Sequence, residues 1–130
     1  TVGAICSDHQ PHDIDATLAP FSETEPGASA LETLLPLSLR LAEQGVMTLP
    51  EVITALTWNP ARILGLPVGS LSAGAPANIC IFDPDRYWTV TPKTLVSHGK
   101  NSPVTGWELK GRVTHTLLAG KLVHELPQGQ

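Results

Sequence analysis

Near its start the sequence reads Ile5-Cys6-Ser7-Asp8-His9-Gln10-Pro11-His12. A short apolar run, residues 2–6, comes directly before this acid and the two histidines. We predict that residues 2–6 form a buried strand that ends at a reaction centre. An aspartate just past a core strand is well placed to take a proton or to bind a metal. The simpler alternative is a polar loop that carries two surface histidines.

The composition indicates a globular domain with a modest core. The 130 residues are 42% hydrophobic and carry a net charge of −4. The eight Lys and Arg residues are scattered, which argues against a nucleic-acid partner, and no apolar run approaches the ~20 residues that span a membrane. Cys6 and Cys80 lie in apolar runs, so we predict buried, reduced thiols. We therefore expect a cytoplasmic protein.

Helical signals occupy the middle of the chain. Residues 31–44 place leucines on one face, Pro36 is tolerable only near the first turn, and Gly45 ends the helix. A second helix starts at Thr48, which forms a T-x-x-E capping box with Glu51. A third, short helix is predicted with Asn59 as its N-cap and Pro60 as its first residue.

Strand signals follow the helices. We predict strands over residues 78–82 and 87–90, and a hairpin of residues 113–118 and 121–124 about Ala119-Gly120. Residues 8–30 form a long polar loop, a length that is usually functional or disordered. The tail, residues 126–130, is expected to be frayed.

The predicted strand at residues 2–6 has no obvious neighbour, and an unpaired strand cannot satisfy its backbone groups. We therefore expect the chain to be the C-terminal part of a larger protein. It should leave apolar surface exposed on residues 2–6 and on the Leu31–Leu39 face. It should consequently associate with itself, bind the missing N-terminal part, or leave its first residues disordered.

Two loop positions are further candidates for a site. Pro26-Gly27 is either a plain turn or a place where flexible Gly27 lets backbone groups approach a ligand closely. His12 could meet an anionic group of a substrate. A catalytic zinc needs about three protein ligands, and the chain has no HxH, HExxH or CxxC pattern.

Five segments together resemble the C-terminal end of a dihydroorotase, a cyclic amidohydrolase of the metal-dependent hydrolase superfamily. The resemblance covers nearly the whole chain in the family's order. The segments are Ser7–His12 (family TDHAPH), Pro26-Gly27 with Leu31–Leu37 (PG…LETALPL), Thr57–Leu66 (T-xNPAxxLGL), Gly69–Pro84 (G-x-L-xxGxxADxxxFDP) and Lys100–Val113 (KNTPFxGWELKGRV).

The resemblance implies an α/β fold, the C-terminal fragment of a (β/α)8 TIM-type barrel plus the C-terminal strands of a small β-sandwich. Residues 1–66 would be the end of the barrel, namely strand eight, the substrate loop and the following helices. Residues 67–126 would belong to the sandwich, and residues 127–130 to the tail. Active sites of such barrels lie at the C-terminal ends of the strands.

The resemblance also implies an activity and a set of site residues. Asp8 matches the catalytic aspartate, which binds the metal-bridging water and serves as general base and acid. His12 matches a histidine that holds the substrate carboxylate, and Gly27 lies where loop backbone contacts the pyrimidine ring. The implied reaction is zinc-dependent, reversible hydrolysis of L-dihydroorotate to N-carbamoyl-L-aspartate in de novo pyrimidine biosynthesis, with one or two zinc ions and a homo-oligomeric enzyme.

Two departures from the family matter. The family usually has Ala where this chain has Gln10, and residues 13–17 replace its usual acidic and lysine residues. The other metal ligands would all lie upstream, so we expect these residues alone to be inactive. An alternative is a noncatalytic dihydroorotase-like subunit that holds aspartate carbamoyltransferase together. An HxH after the first barrel strand would distinguish the enzyme from this alternative.

Overall fold

The computed structural model describes residues 2–127, with the side chains of residues 14 and 17 left out. Thr1 and residues 128–130, most of the predicted tail, lie outside the described residues. Three helices precede a three-stranded sheet: α1 is Leu34–Glu43, α2 is Leu49–Leu56 and α3 is Trp58–Ile63. The strands are β1 Ile79–Thr89, β2 Glu108–Leu118 and β3 Lys121–Glu125. The long loop contains two 3-10 turns, Ile14–Thr17 and Phe21–Glu23.

The helix signals locate the helices with small errors. Helix α1 begins at Leu34, because residues 31–33 form a turn and Pro36 then falls in the first helical turn. Gly45 follows α1 in the left-handed region, φ 69°, as expected. The capping box before α2 is also confirmed, since Glu51 Oε2 accepts hydrogen bonds of 2.7 Å from the Thr48 backbone and hydroxyl.

The predicted N-cap of α3 is wrong. The helix begins one residue earlier, at Trp58, and Thr57 occupies the N-cap position. Asn59 instead donates a 2.7 Å hydrogen bond from Nδ2 to the carbonyl of Gly3. The side chain of Asn59, which the local sequence predicted to cap α3, therefore bonds to a residue 56 positions away in sequence.

The sheet is antiparallel, in the order β1-β2-β3. The two strands predicted at residues 78–82 and 87–90 are one strand, β1, with a register shift between Asp83 and Tyr87. Pro84 lies in this irregular stretch, where its missing N–H does not cost a ladder hydrogen bond. The predicted hairpin is confirmed, with Ala119 (φ 50°) and Gly120 (φ 78°) at its turn.

The strand predicted over residues 2–6 is absent. Strand structure needs a hydrogen-bonded neighbour, and within residues 2–127 no strand runs beside this segment. The segment is attached to α2 by a 3.0 Å hydrogen bond from the Ile5 N–H to the Ala55 carbonyl. Val2 remains 68% exposed, in agreement with the apolar surface predicted there.

The predicted burial of the two cysteines is also wrong. Cys6 and Cys80 are free thiols, as predicted, but both are exposed. Cys6 lies on the uncovered segment just described, and Cys80 lies on β1, at an edge of the sheet. An apolar sequence context predicts burial only where another layer covers the residue.

The core lies where α1 meets the sheet. A buried cluster is formed by Trp88, Val90, Leu95, Val104 and Leu109, and Leu37 of α1 packs against it. The expected exposure of the Leu31–Leu39 face holds for only one end. Leu31 is 60% exposed, whereas Leu39 is 5% exposed because α1 packs on β2.

Candidate functional site

Two segments of the long loop lie side by side and bring two of the sequence-predicted residues, His12 and Gly27, close together. His9 and Ala28 form a parallel bridge, and the Gln10 N–H donates a 2.9 Å hydrogen bond to the Ala28 carbonyl. His12 Nε2 donates to the Pro26 carbonyl at 3.1 Å. The loop that carries Asp8 and His12 is therefore fastened along the loop that carries Gly27.

Asp8 lies at the beginning of this pairing. It is exposed, and its φ of 45° is in the left-handed region. Aspartate tolerates this conformation better than most residues because its short side chain can bond locally. Asp8 immediately precedes the bridge at His9.

The described residues do not form a metal site on their own. Within residues 2–127, no group of three or more His, Cys, Asp or Glu side chains is close enough to hold an ion. A catalytic zinc takes about three protein ligands. The structure thus offers one candidate ligand, Asp8, and no ligand set.

His9 has a structural function. Its Nδ1 accepts hydrogen bonds from the backbone N–H groups of Ala30 (3.1 Å) and Leu31 (3.2 Å). A nitrogen that accepts both bonds carries no proton, so the hydrogen bonds assign the proton of the neutral ring to Nε2. Of the two histidines in the loop, His9 shapes the turn before α1, and His12 remains the candidate for substrate contact.

Gly27 is required by the geometry of its loop. Its φ is 124°, where L side chains are strained, and an added Cβ would overlap the Gln10 side chain and lie 2.7 Å from Gln10 Oε1. Gln10, where the sequence departs from the family pattern, therefore lies directly against Gly27. The departure changes the immediate surroundings of a predicted site residue.

Asn101 is a residue that sequence reasoning missed. Its Oδ1 accepts a 2.8 Å hydrogen bond from the His12 N–H, and its Nδ2 donates to the carbonyls of Gln10 (3.1 Å) and Gly27 (3.2 Å). The bond to His12 joins residues 89 apart in sequence. The only local signal is the position of Asn101 inside the Lys100–Val113 segment, which does not say what the side chain contacts.

A cavity of about 450 Å³ lies beside the paired loops. Glu32 lines this cavity, and its carboxylate accepts hydrogen bonds from the N–H groups of Val96 (3.0 Å) and Ser97 (2.8 Å). Burial lowers the pKa of the Arg112 guanidinium, which lies 3.9 Å from the centroid of the Trp88 ring. Both charged groups line the cavity, together with apolar side chains such as Pro36 and Trp88.

Comparison with known proteins identifies the family of the chain. The model of the amidohydrolase family matches residues 3–123. The chain belongs to the amidohydrolase family. Among curated amidohydrolase relatives, it is 46% identical over 125 residues to a dihydroorotase of Geobacter metallireducens, covering 96% of this chain and 30% of the relative. It is also 46% identical over 124 residues to a dihydroorotase-like protein of Pseudomonas aeruginosa, covering 95% and 29%.

The fold is shared with solved structures. The dihydropyrimidinase of Brevibacillus agri superposes with a TM-score of 0.85 at 21% identity, over 95% of this chain and 28% of that one. The chain thus spans about 30% of the length of the curated relatives named above. Membrane-spanning helices need ~20 apolar residues, and every helix described within residues 2–127 falls short of that requirement.

Proposed function

We propose that this chain is the C-terminal part of a dihydroorotase, which interconverts L-dihydroorotate and N-carbamoyl-L-aspartate in pyrimidine biosynthesis. The observation that carries the proposal is the pairing of the two loops. His12 and Gly27 lie on the two paired segments, and Asp8 immediately precedes the bridge at His9. The identity of 46% to the dihydroorotase of Geobacter metallireducens supports the same reaction.

Each of the three residues has a proposed task. Asp8 is exposed and would transfer the proton between the attacking water and the leaving nitrogen. His12, whose ring is oriented by its bond to the Pro26 carbonyl, would bind the substrate carboxylate. Gly27 would bring the loop backbone close to the pyrimidine ring, because glycine has no side chain of its own.

The whole protein would be a zinc enzyme, a homo-oligomer and cytoplasmic. Zinc would polarise the scissile carbonyl of the substrate. Among residues 2–127 we assign it one ligand, Asp8, and this residue alone cannot hold the ion. The remaining ligands would come from sequence upstream of this chain.

Kinetics on a protein of the full length of its relatives tests the proposal. We expect zinc-dependent turnover of dihydroorotate, and Asp8→Asn should lower kcat by about 10²–10⁴-fold. Asp13→Asn is the matched control, because Asp13 is an exposed acid of the same loop. Absence of turnover in the zinc-loaded wild type, or equal rates for Asp8→Asn and the wild type, would exclude this function.

A noncatalytic subunit that assembles aspartate carbamoyltransferase is the second candidate. The identity to the dihydroorotase-like protein of Pseudomonas aeruginosa is also 46%, and Gln10 alters the surroundings of Gly27. This candidate predicts no HxH after the first barrel strand of the whole protein. It also predicts that the protein co-elutes with aspartate carbamoyltransferase in size-exclusion chromatography and turns over no dihydroorotate.

A further inference from the structure

We propose that Asn101 is a positioning residue. Its side-chain amide fixes the loop segment that carries His12 relative to the segment that carries Gly27. The consequence for substrate binding rests on the proposed function, whereas the positioning itself rests on the contacts alone. We call residues 99–101 the clasp. The clasp belongs to the part of the chain between β1 and β2, whereas Asp8, His12 and Gly27 all precede the helices.

The side-chain amide of Asn101 forms hydrogen bonds with backbone groups of both loop segments. Its oxygen accepts from the His12 N–H at 2.8 Å, and its nitrogen donates to the carbonyls of Gln10 at 3.1 Å and Gly27 at 3.2 Å. A primary amide has two N–H donors and a carbonyl acceptor, which is the set that these three backbone groups need. Asp lacks the donors, and Ala lacks both donors and acceptor.

Backbone contacts of the clasp reinforce the side chain. The Lys100 N–H donates to the His12 carbonyl at 3.1 Å, and the Ser29 N–H donates to the Asn101 carbonyl at 3.3 Å. Gly99 is buried, and an added Cβ would lie 2.8 Å from Pro11 Cα and 3.0 Å from the His12 nitrogen. The clasp therefore packs backbone against backbone on the loop that carries His12.

The clasp is itself fixed to the core. Leu95 precedes it and Val104 follows it, and both belong to the buried cluster that contains Trp88 and Leu109. The Lys100 ammonium donates a 2.7 Å hydrogen bond to the Leu95 carbonyl. Because the core orders the clasp, Asn101 can impose a position on loops that have few regular hydrogen bonds of their own.

Amide hydrogen exchange on the isotope-labelled chain tests the positioning. Asn101→Ala should accelerate exchange of the His12 amide by about fivefold or more relative to the Val52 amide of α2, which reports stability away from the clasp. Asn101→Asp keeps an acceptor for the His12 N–H but loses both donors, so exchange of the His12 amide should accelerate less than in Asn101→Ala. The carbonyl ¹³C shifts of Gln10 and Gly27 should nevertheless move, because both lose their donor.

Ser102→Ala is the matched control, since the Ser102 Oγ is buried and has no hydrogen-bond partner among the described residues. It should leave the exchange rate of the His12 amide and the ¹³C shift of the Gly27 carbonyl unchanged. Unchanged His12 exchange in Asn101→Ala would overturn the proposal. If Asn101→Ala fails to fold, unmoved Gln10 and Gly27 carbonyl shifts in Asn101→Asp would overturn it equally.

Kinetics on the full-length protein separate positioning from general stability. Asn101→Ala should raise KM for dihydroorotate about tenfold and change kcat by less than about threefold, because His12 and Gly27 are assigned to binding and Asp8 to proton transfer. A fall in kcat at unchanged KM would contradict substrate positioning. If the wild type has no turnover, the proposed function fails, and the exchange experiment still decides whether Asn101 positions the loops.

Discussion

Leu39 of α1 packs onto Gly111 of β2 so closely that a side chain at position 111 would overlap the leucine Cδ1. Leu39 is 5% exposed, and Gly111 is buried with a φ of 100°. The Gly111 carbonyl also accepts a 3.0 Å hydrogen bond from Trp88 Nε1. The missing side chain therefore lets the helix reach the sheet, and the helical half of the chain is joined to the strand half at this point.

Gly111→Ala is expected to destabilise the chain by about 2–5 kcal/mol. A left-handed backbone costs a residue with a Cβ about 1–2 kcal/mol, and overpacking adds about 1–3. Gly45→Ala is the control, since Gly45 has a φ of 69° but nothing within 4 Å of an added Cβ, so only the backbone cost applies. Urea unfolding of both variants measures the difference, and equal losses would show that Leu39 adjusts without cost.

The fold was predictable where the residues that interact lie close together in sequence. The capping box of Thr48 and Glu51 and the hairpin at Ala119-Gly120 are of this kind, and both are confirmed. The prediction of a strand at residues 2–6 failed because a strand needs a hydrogen-bonded neighbour, which a local sequence pattern does not reveal. The prediction of Asn59 as an N-cap failed because the Asn59 side chain donates its hydrogen bond to Gly3, far away in sequence.

Glu32→Ala is expected to destabilise the chain by about 1.5–3 kcal/mol. The Glu32 carboxylate accepts hydrogen bonds from the N–H groups of Val96 and Ser97, and bonds to a charged group are worth more than neutral ones. Glu32→Gln keeps one acceptor oxygen, so its free energy of unfolding should fall by about half as much. Glu25→Ala, at an exposed acid of the long loop, should stay within about 0.5 kcal/mol in the same urea experiment. A loss for Glu32→Ala no larger than for Glu25→Ala would contradict this assignment.

Glu51 should make the stability of α2 depend on pH. Hydrogen bonds from the Thr48 backbone and then its hydroxyl lower the pKa of Glu51 below its usual value of 4.5. A lowered folded-state pKa gives a stabilisation that is complete above the usual pKa and is lost as the pH falls through the folded-state pKa. Glu51→Gln should therefore be less stable than the wild type at about pH 7, and the difference should narrow below about pH 4. Urea unfolding across this range measures the difference, and a constant difference would contradict the carboxylate's part in the cap.

The candidate site was predictable in part. Asp8, His12 and Gly27 were singled out from sequence, and the structure brings their two loops together. Asn101 could not be found in this way, because its partners lie between 74 and 91 residues away and share no periodicity with it. Residue type and local order identify candidate groups, whereas the residue that aligns them is identified only by the tertiary contacts.

The chain of 130 residues is expected to turn over no dihydroorotate by itself, with or without added zinc. Proton transfer by Asp8 requires a polarised carbonyl, and within residues 2–127 no group of three potential ligands can hold the metal that would polarise it. Direct measurement of carbamoyl aspartate formation by the purified chain, against buffer with the same zinc, tests this. Asp8→Asn serves as the control for trace contamination, because a contaminating enzyme would give the same rate in both preparations. A rate above buffer that disappears in Asp8→Asn would show that these residues complete a working site without further ligands, and would contradict the assignment of the missing ligands to upstream sequence.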